Sequence, residues 1–433
     1  LSNDRCHPLI LIRRSGPKDA QSHRHPASDP PRVTIPAHAV YTAFTGVTMP
    51  NEPTTVDAIT AEYLTPIAAK MLGDEDAVVT TFELIYDPFE FPRFGEKQFY
   101  LIPFHYTSKG KQSQSHLILR VMPRMDAVMM LTGDTEHREL KAFQRGFFDG
   151  VPDTFHHPYV HVVLRPEIDQ YWAFLEDLRP QMEALGMNEK APEPVVRTIL
   201  SHLAAFHARF WEKHEIIDQP WLMSLRQPVN YFYRTITDIL DGMQDPAESS
   251  TYVIERWPWL AEGVPNMMDS LAPATRAAVE KLYREPEPLL KIVESMPMTL
   301  CHYDFDNRNL GIEDTPNGKR TVVIDWEILG RGISSSDVVR FMVYHNPENV
   351  EELLDHYLDA LERGLGQQVD RQQWLLGYDL AAIAEFQMRG VLFGIMVNAP
   401  SAPIPDEMRP MMKERVFGDI GYVESLVRKH NLA

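Results

Sequence analysis

The sequence predicts an α+β chain of two lobes, a small strand-rich one followed by a larger, mainly helical one. Three observations carry that prediction. Residues 78–122 hold three segments of strand character, and two more follow at 159–175 after a single helical stretch. After Pro180 the apolar residues fall mostly at helical spacing. The length, 433 residues, exceeds one typical domain, so two units are expected.

Taken in order, residues 1–50 carry seven prolines (Pro8, Pro17, Pro26, Pro30, Pro31, Pro36 and Pro50) and no helical or alternating pattern. They are expected to be a disordered extension, residues 1–48 lying upstream of Met49 and outside the fold. A first lobe is expected over 51–177 and a helical lobe over 178–433. In the first, Val56, Ile59, Leu64, Ile67, Met71 and Leu72 fall near helical spacing and stop before Gly73. Strands follow at 78–86, 98–106 and 116–122, separated by turn-like segments at 87–95 and 108–115. A helix is expected over 135–148, with Leu140, Phe143 and Phe147 on one side and Asp134 as its cap. Strands at 159–164 and 171–175 complete the lobe. In the second lobe, Val196, Ile199, Leu203, Phe206 and Phe210 mark a helix over 194–213. Further helices are expected at 228–243, 272–295, 350–364, 371–397 and 406–429. Residues 299–310 and 321–328 interrupt them as a loop and a short strand.

Composition narrows the function classes. Hydrophobic residues make up 44% and charged residues 24%, enough apolar material for a real core. Lys plus Arg total 42 against 61 Asp plus Glu, a formal charge of -19. Sequence-independent binding to nucleic acid or to anionic membranes needs a basic surface, so neither is expected. Cys6 and Cys301 are the only cysteines, too few for a disulfide framework or a thiolate zinc site. No uninterrupted apolar run approaches the roughly 18 residues of a membrane span. The run Pro8-Leu9-Ile10-Leu11-Ile12 is too short for a signal-peptide core. A cytoplasmic location is expected.

The most informative stretch is Cys301-His302-Tyr303-Asp304-Phe305-Asp306-Asn307-Arg308-Asn309-Leu310, followed by Val322-Val323-Ile324-Asp325-Trp326-Glu327. It has the form H-x-D-x-x-x-x-N, then hairpin-like sequence, then an apolar strand ending in Asp. Phosphoryl transfer needs a carboxylate beside the attacking hydroxyl, to orient it and take its proton. It also needs an amide oxygen and a second carboxylate to hold Mg²⁺ against nucleotide phosphates. Asp304 suits the first role, and Asn309 and Asp325 the second. His302 is expected to brace the loop and His207 to be a core histidine. Asp306 and Arg308 are expected to serve the loop's own hydrogen bonds. Asp337 is expected to hold the loop or cap the next helix, and Arg331 either meets phosphate or substrate or lies on the surface. His156, His157 and His161 lack ligand spacing and are read as a solvated turn beside a strand. Tyr231, Phe232, Tyr233, Trp257, Trp259, Met267 and Met268 suit core packing better than a substrate pocket.

These motifs resemble the catalytic and metal-binding loops of the aminoglycoside phosphotransferase and choline-kinase-like superfamily, which includes the ecdysteroid-kinase-like proteins. The resemblance extends over roughly residues 75–345. It implies a protein-kinase-like fold: a small antiparallel-sheet lobe with one helix, and a larger mainly helical lobe. Asp325-Trp326-Glu327 fits the superfamily's Asp-x-Asp/Glu/Gln, which implies metal binding by Glu327 as well, though a substrate contact or a turn cap are equal alternatives for it. Leu175-Glu176-Asp177-Leu178 resembles the hinge, so Glu176, Asp177 and Leu178 are expected to meet the adenine. Residues 203–211 resemble the first large-lobe helix, and Gly330-Arg331-Gly332 with Asp337-Val338 resembles the segment after the metal-binding loop. In Leu117-Ile118-Leu119-Arg120-Val121-Met122-Pro123, Arg120 stands where the superfamily carries a phosphate-contacting lysine. Its helix partner is expected to be Glu139, with Glu136 as the rival. Within 87–97, where a glycine-rich phosphate loop is implied, there are only Gly95, Pro88 and Pro92.

The resemblance implies ATP and Mg²⁺ as cofactors and a small-molecule hydroxyl as acceptor. Asp238, Asp241, Asp245 and Glu248 suit a cationic acceptor, while the aromatic and methionine content suits an apolar alcohol equally well. The alternative reading is a catalytically weak or inactive kinase-like scaffold that binds nucleotide, favoured by Arg120 and the poor glycine loop. A protein kinase is disfavoured, because no Ala-Pro-Glu segment follows Asp325.

Overall fold

A computed structural model describes residues 53–86, 97–178, 185, 191–345, 347–406 and 409–430. The expected extension 1–50 and nearly all of the expected phosphate loop, 87–96, lie outside the described residues.

The first lobe opens with α1 (Ala61–Leu72). The Thr60 hydroxyl accepts from the Tyr63 N–H, and Gly73 at φ 61° ends the helix. The sheet comprises β1 (Val78–Phe82), β2 (Ile85–Tyr86), β3 (Gln98–Ser108) and β4 (Lys111–Pro123). Two helices, α2 (Ala127–Thr132) and α3 (Arg138–Gln144), precede β5 (Phe155–His156), β6 (Tyr159–Arg165) and β7 (Gln170–Glu176). The strands run antiparallel in the order β1-β3-β4-β7-β6, with β2 beside β3. Alternation along β4 sends Leu117, Leu119 and Val121 into a core shared with Tyr63, Leu64 and Ile67 of α1. Arg120 therefore lies on the opposite face, and that parity places it at the cleft.

Two local expectations are corrected. Residues 108–115, read as a turn, are almost wholly ladder: only Lys109 and Gly110 turn, at φ 49° and 75°. The polar run Gln112–Gln114 is exposed and has no apolar face to betray its strand, which the backbone pairing to β3 maintains. The single helix at 135–148 is shorter and is preceded by α2. Asp126 caps α2 by accepting from Met129 N–H, Gly133 at φ 65° closes it, and Gly146 at φ 64° breaks the chain after α3. Asp134 accepts from the Glu136 and Arg138 amides, but the N-cap of α3 is His137, whose side chain makes no cap bond.

The second lobe holds α4 (Glu193–Phe210), α5 (His214–Ile217), α6 (Arg234–Leu240), α7 (Glu248–Arg256), α8 (Trp259–Asp269), α9 (Pro273–Arg284) and α10 (Glu287–Glu294). Short strands β8 (Thr299–Cys301), β9 (Leu310–Thr315), β10 (Gly318–Val323) and β11 (Gly330–Gly332) follow. Then come α11 (Ser335–His345), α12 (Val350–Leu365), α13 (Arg371–Glu385), α14 (Val391–Asn398) and α15 (Arg409–Lys429). A π turn, Phe386–Gly390, joins α13 to α14 in one continuous helix. That helix is long and apolar enough by composition to cross a membrane, but 56% of its most apolar window is buried within the lobe. α7, α8 and α11 escape the helical reading. Gly263 and Pro265 look like breakers in α8, yet a Cβ at Gly263 would lie 2.5 Å from the Ile395 carbonyl oxygen. Glycine lets α8 press against α14.

The two lobes share an aromatic floor. Trp326 is fully buried, with Phe147, Phe148 and Phe206 at 5.7–5.8 Å and His302 at 4.7 Å between ring centroids. β5 pairs parallel to β10, and β9 pairs with β10, so this floor sits beneath the loops that carry the chemistry.

Candidate active site

The loop after β8 is held from below. Asp337, at the start of α11, accepts from His302 N–H (2.8 Å) and Tyr303 N–H (2.7 Å), and His207 lies 3.2 Å from the same carboxylate. His207 also meets the Tyr357 hydroxyl at 2.7 Å, so it is a satisfied core histidine. His302 accepts from Asp304 N–H at Nδ1 and donates from Nε2 to the Ile324 carbonyl, a bracing role that joins the two loops. Tyr303 at φ 61° and Asp325 at φ 62° take left-handed conformations in these loops, a strain that non-glycine residues hold only where surroundings enforce it. For Tyr303 the enforcement includes its hydroxyl, which donates to the Arg331 carbonyl at 2.8 Å. A Cβ at Gly332 would fall 2.1 Å from that hydroxyl, which is why glycine is needed there.

Asp304 is surrounded by cations. Its Oδ1 faces Arg340 (2.8 Å), Arg389 (3.0 Å) and Arg308 (3.4 Å), while Oδ2 accepts from Asn309 Nδ2 at 2.7 Å. Burial alone would raise the Asp304 carboxyl; Arg389, Arg340 and Arg308 outweigh it and hold the group far below the usual carboxylate range. Arg340 also bonds Asp306 and Glu385 at 2.5 Å each, and Arg389 bonds Glu385 at 2.9 Å and the Tyr303 carbonyl at 2.6 Å. Asp306 and Arg308 pair at 2.7 Å within the loop. Asn309 commits its amide nitrogen to Asp304, leaving the amide oxygen as its remaining acceptor.

β10 delivers the second group. Because Trp326 is anchored in the floor, the flanking Asp325 and Glu327 stand at the cleft. Asp325 meets Arg120 at 3.2 Å, and Glu327 meets Lys97 at 2.7 Å. Arg120 pairs with Glu139 on α3, which also accepts from the Tyr159 and Tyr171 hydroxyls. Glu136 instead pairs with Lys141 on the surface. Burial and Asp325 push the Glu327 carboxyl up to about 8, against the pull of Lys97. Asp126 also acts on Glu327 and Lys97, and its Oδ2 is buried with no hydrogen-bond partner among the described residues.

The remaining predicted residues fall nearby or away. Glu176 ends β7, its N–H donating to the Pro158 carbonyl at 2.8 Å and its carboxylate 3.2 Å from His156. Asp177 is buried beside His116 at 3.0 Å, and Leu178 is buried. His156 is no solvated turn: pairing of β5 with β10 puts it between Glu176 and Glu313, the latter at 3.0 Å. His157 and His161 are lowered to about 4 by burial. Arg331 pairs with Asp218 at 2.8 Å, both half-exposed. Phe232, Tyr233, Trp259, Met267 and Met268 are buried core. Asp238 is taken up by Ala247 N–H and Ser250, and Asp241 by Arg284, so neither is a free acidic patch.

Residues 176–374 match the model of the phosphotransferase enzyme family. The match covers somewhat less than half of the chain. No curated protein sequence matches the chain. Solved structures with a similar course of chain include an ethanolamine kinase from Plasmodium vivax, 13% identical, covering 82% of this chain and 84% of that one at a TM-score of 0.47. A choline/ethanolamine kinase family protein from Mesorhizobium loti is 12% identical, covering 80% and 88% at 0.40. An aminoglycoside-3'-phosphotransferase of type VIII is 15% identical, covering 70% and 93% at 0.35. None of these likenesses says what this chain acts on.

The oxygen donors suit a hard divalent cation: Asp325, Glu327 and the amide oxygen of Asn309, with Asp126 Oδ2, which has no partner among the described residues, close enough to act on Glu327. Among the described residues the tightest group of possible ligands lies elsewhere, at His207, Cys301 and Asp337. There the protein satisfies each group itself, Cys301 donating to the Ile333 carbonyl at 3.3 Å, so the group is structural. Sequence reasoning missed Lys97, Asp126, Arg340, Glu385 and Arg389. Arg340, three residues beyond the recognised Asp337, and Lys97, at the end of the expected phosphate loop, lay beside motifs that could have signalled them.

Proposed function

We propose that this chain is a kinase of the phosphotransferase enzyme family that moves the γ-phosphate of Mg·ATP to a hydroxyl of a small molecule. The juxtaposition that carries the reading is Asp304 and Asn309 on one loop, braced through His302 to the segment after β10 that carries Asp325 and Glu327. Asp304 orients the acceptor hydroxyl and takes its proton, with Oδ1 held by arginines and Oδ2 the less encumbered oxygen. Asn309, Asp325 and Glu327 hold Mg²⁺, which neutralises charge on the phosphates when bound. Arg120, fixed by Glu139, adds positive charge on the small-lobe side of the cleft. Glu176, Asp177 and Leu178 form the hinge along which the adenine lies.

A second reading, a nucleotide-binding scaffold without turnover, draws on the density of arginines at Asp304 and on the engagement of both terminal nitrogens of Arg120 by protein groups. Thermal unfolding of the wild type and Asp325→Asn, with and without Mg·ATP, tests the nucleotide site. A ligand bound only by the folded state adds about 2.7 kcal/mol at 100 Kd. The kinase reading expects a Mg²⁺-dependent rise in Tm that shrinks in the variant. A wild type whose Tm ignores Mg·ATP sinks that reading.

A further inference from the structure

Two cations reach the metal side of the cleft from adjacent strands, and they are not equivalent. Arg120 projects from β4. One terminal nitrogen faces Glu139 and Tyr171, the other Asp325, and the residue is 4% exposed. Glu139 is in turn held by two tyrosine hydroxyls, so the guanidinium is fixed between α3 and Asp325. Both terminal nitrogens of its planar fork are spent on protein carboxylates, while Nε has no partner among the described residues.

Lys97 stands immediately before β3, where Phe99 is the register partner of Arg120. It therefore enters the cleft one strand over. Its ammonium meets Glu327 Oε2 at 2.7 Å and lies in the field of Asp325 and Asp126. Its side chain is 13% exposed, so it is sheltered without being sealed in. Glu327 belongs to the oxygen set assigned to the cation. A divalent ion there competes with the ammonium for that carboxylate and releases a compact, three-donor charge on a flexible stem beside the phosphates.

We propose that Lys97, rather than Arg120, makes the direct contact to the nucleotide phosphates. The proposal rests on the kinase reading above. It moves the phosphate-binding ammonium from the strand where a lysine is expected to the neighbouring one, and accounts for an arginine on the first.

The test uses the full chain as wild type, Lys97→Met, Lys97→Arg and Arg120→Lys. Titration calorimetry measures Mg·ATP and adenosine, and electron paramagnetic resonance measures Mn²⁺ alone. Lys97→Met is expected to weaken Mg·ATP about tenfold or more, the worth of a charge-assisted hydrogen bond. Its adenosine affinity stays at the wild-type level, and it binds Mn²⁺ more tightly because the ammonium no longer competes for Glu327. Lys97→Arg keeps part of the Mg·ATP affinity, which guards against a folding defect in the methionine variant. Arg120→Lys retains more Mg·ATP affinity than Lys97→Met. A wild type that binds Mg·ATP alongside a Lys97→Met that binds it equally well overturns the proposal and leaves the kinase reading standing. Parallel loss of adenosine and Mg·ATP overturns it too, by showing a structural role. Failure of the wild type to bind Mg·ATP removes the kinase reading and the proposal together.

Discussion

Asp304 and Glu327 are almost equally buried, their side chains 18% and 14% exposed, yet their electrical surroundings are opposite. Asp304, Asp306 and Glu385 share Arg308, Arg340 and Arg389, three anions against three cations. Asp325, Glu327, Asp126 and Glu139 share Arg120 and Lys97 at close range, with Arg138 reaching only the Glu327 carbonyl oxygen, at 3.4 Å. Accordingly the Asp304 carboxyl is held far down and that of Glu327 is pushed up to about 8. The first half of the site is a completed ion network that fixes one carboxylate. The second is short of positive charge, which is the condition a divalent cation relieves.

The largest effect is expected at the completed half. Asp304→Asn keeps the shape and the Asn309 contact but removes the base, and should lower acceptor-dependent ADP formation by about 10²–10⁴-fold. Mg·ATP affinity should stay near wild type, since the nucleotide side is untouched. Undiminished turnover would show that the arginine-held carboxylate is only a structural anion. Next in size is Arg340→Met. Arg340 is 1% exposed and bridges three carboxylates, so its loss leaves uncompensated buried charge and should cost about 3–5 kcal/mol in urea unfolding. A cost no greater than that of a surface ion pair would mean the network is not what sets the difference between the halves.

How much of this was legible depended on whether the signal was local. Asp304, Asn309 and Asp325 follow from a short spacing and an apolar strand, while Arg120 and Glu139 are reached only through the family resemblance, with Glu136 as a rival. Arg389 sits in a π turn, whose shift of register leaves no trace in a 3.6-residue pattern. Lys97 borders a segment with no periodicity, and its partner Glu327 lies 230 residues on. The strand over 108–115 was hidden because its polar residues bury nothing, and α8 because Gly263 serves close packing and reads as a break. His156 looked solvated because its partners, Glu176 and Glu313, come from other strands. The pattern of apolar residues reports which face is buried; it does not report which distant charge arrives there.

The effect smallest per pH step tests the unfinished half directly. The Glu327 carboxyl is raised above its unfolded value of about 4.3. Its protonated form is therefore favoured by folding, and that contribution is fully present below about pH 4 and lost as pH rises through about 8. In the metal-free protein, the stability difference between wild type and Glu327→Gln should fall with rising pH by up to about 1.4 kcal/mol per pH unit across that window. Taking the difference removes the contribution of groups such as His156, which titrate in both proteins. Saturating Mg²⁺ should flatten the slope, because a bound cation favours the ionised carboxylate at every pH in the window. Asp304, whose pKa is lowered instead, contributes stability that persists throughout that range and is lost only in strong acid. Denaturant melts from pH 5 to 8, with and without Mg²⁺, separate the two carboxylates; equal slopes for wild type and Glu327→Gln would erase the contrast on which the division of the site rests.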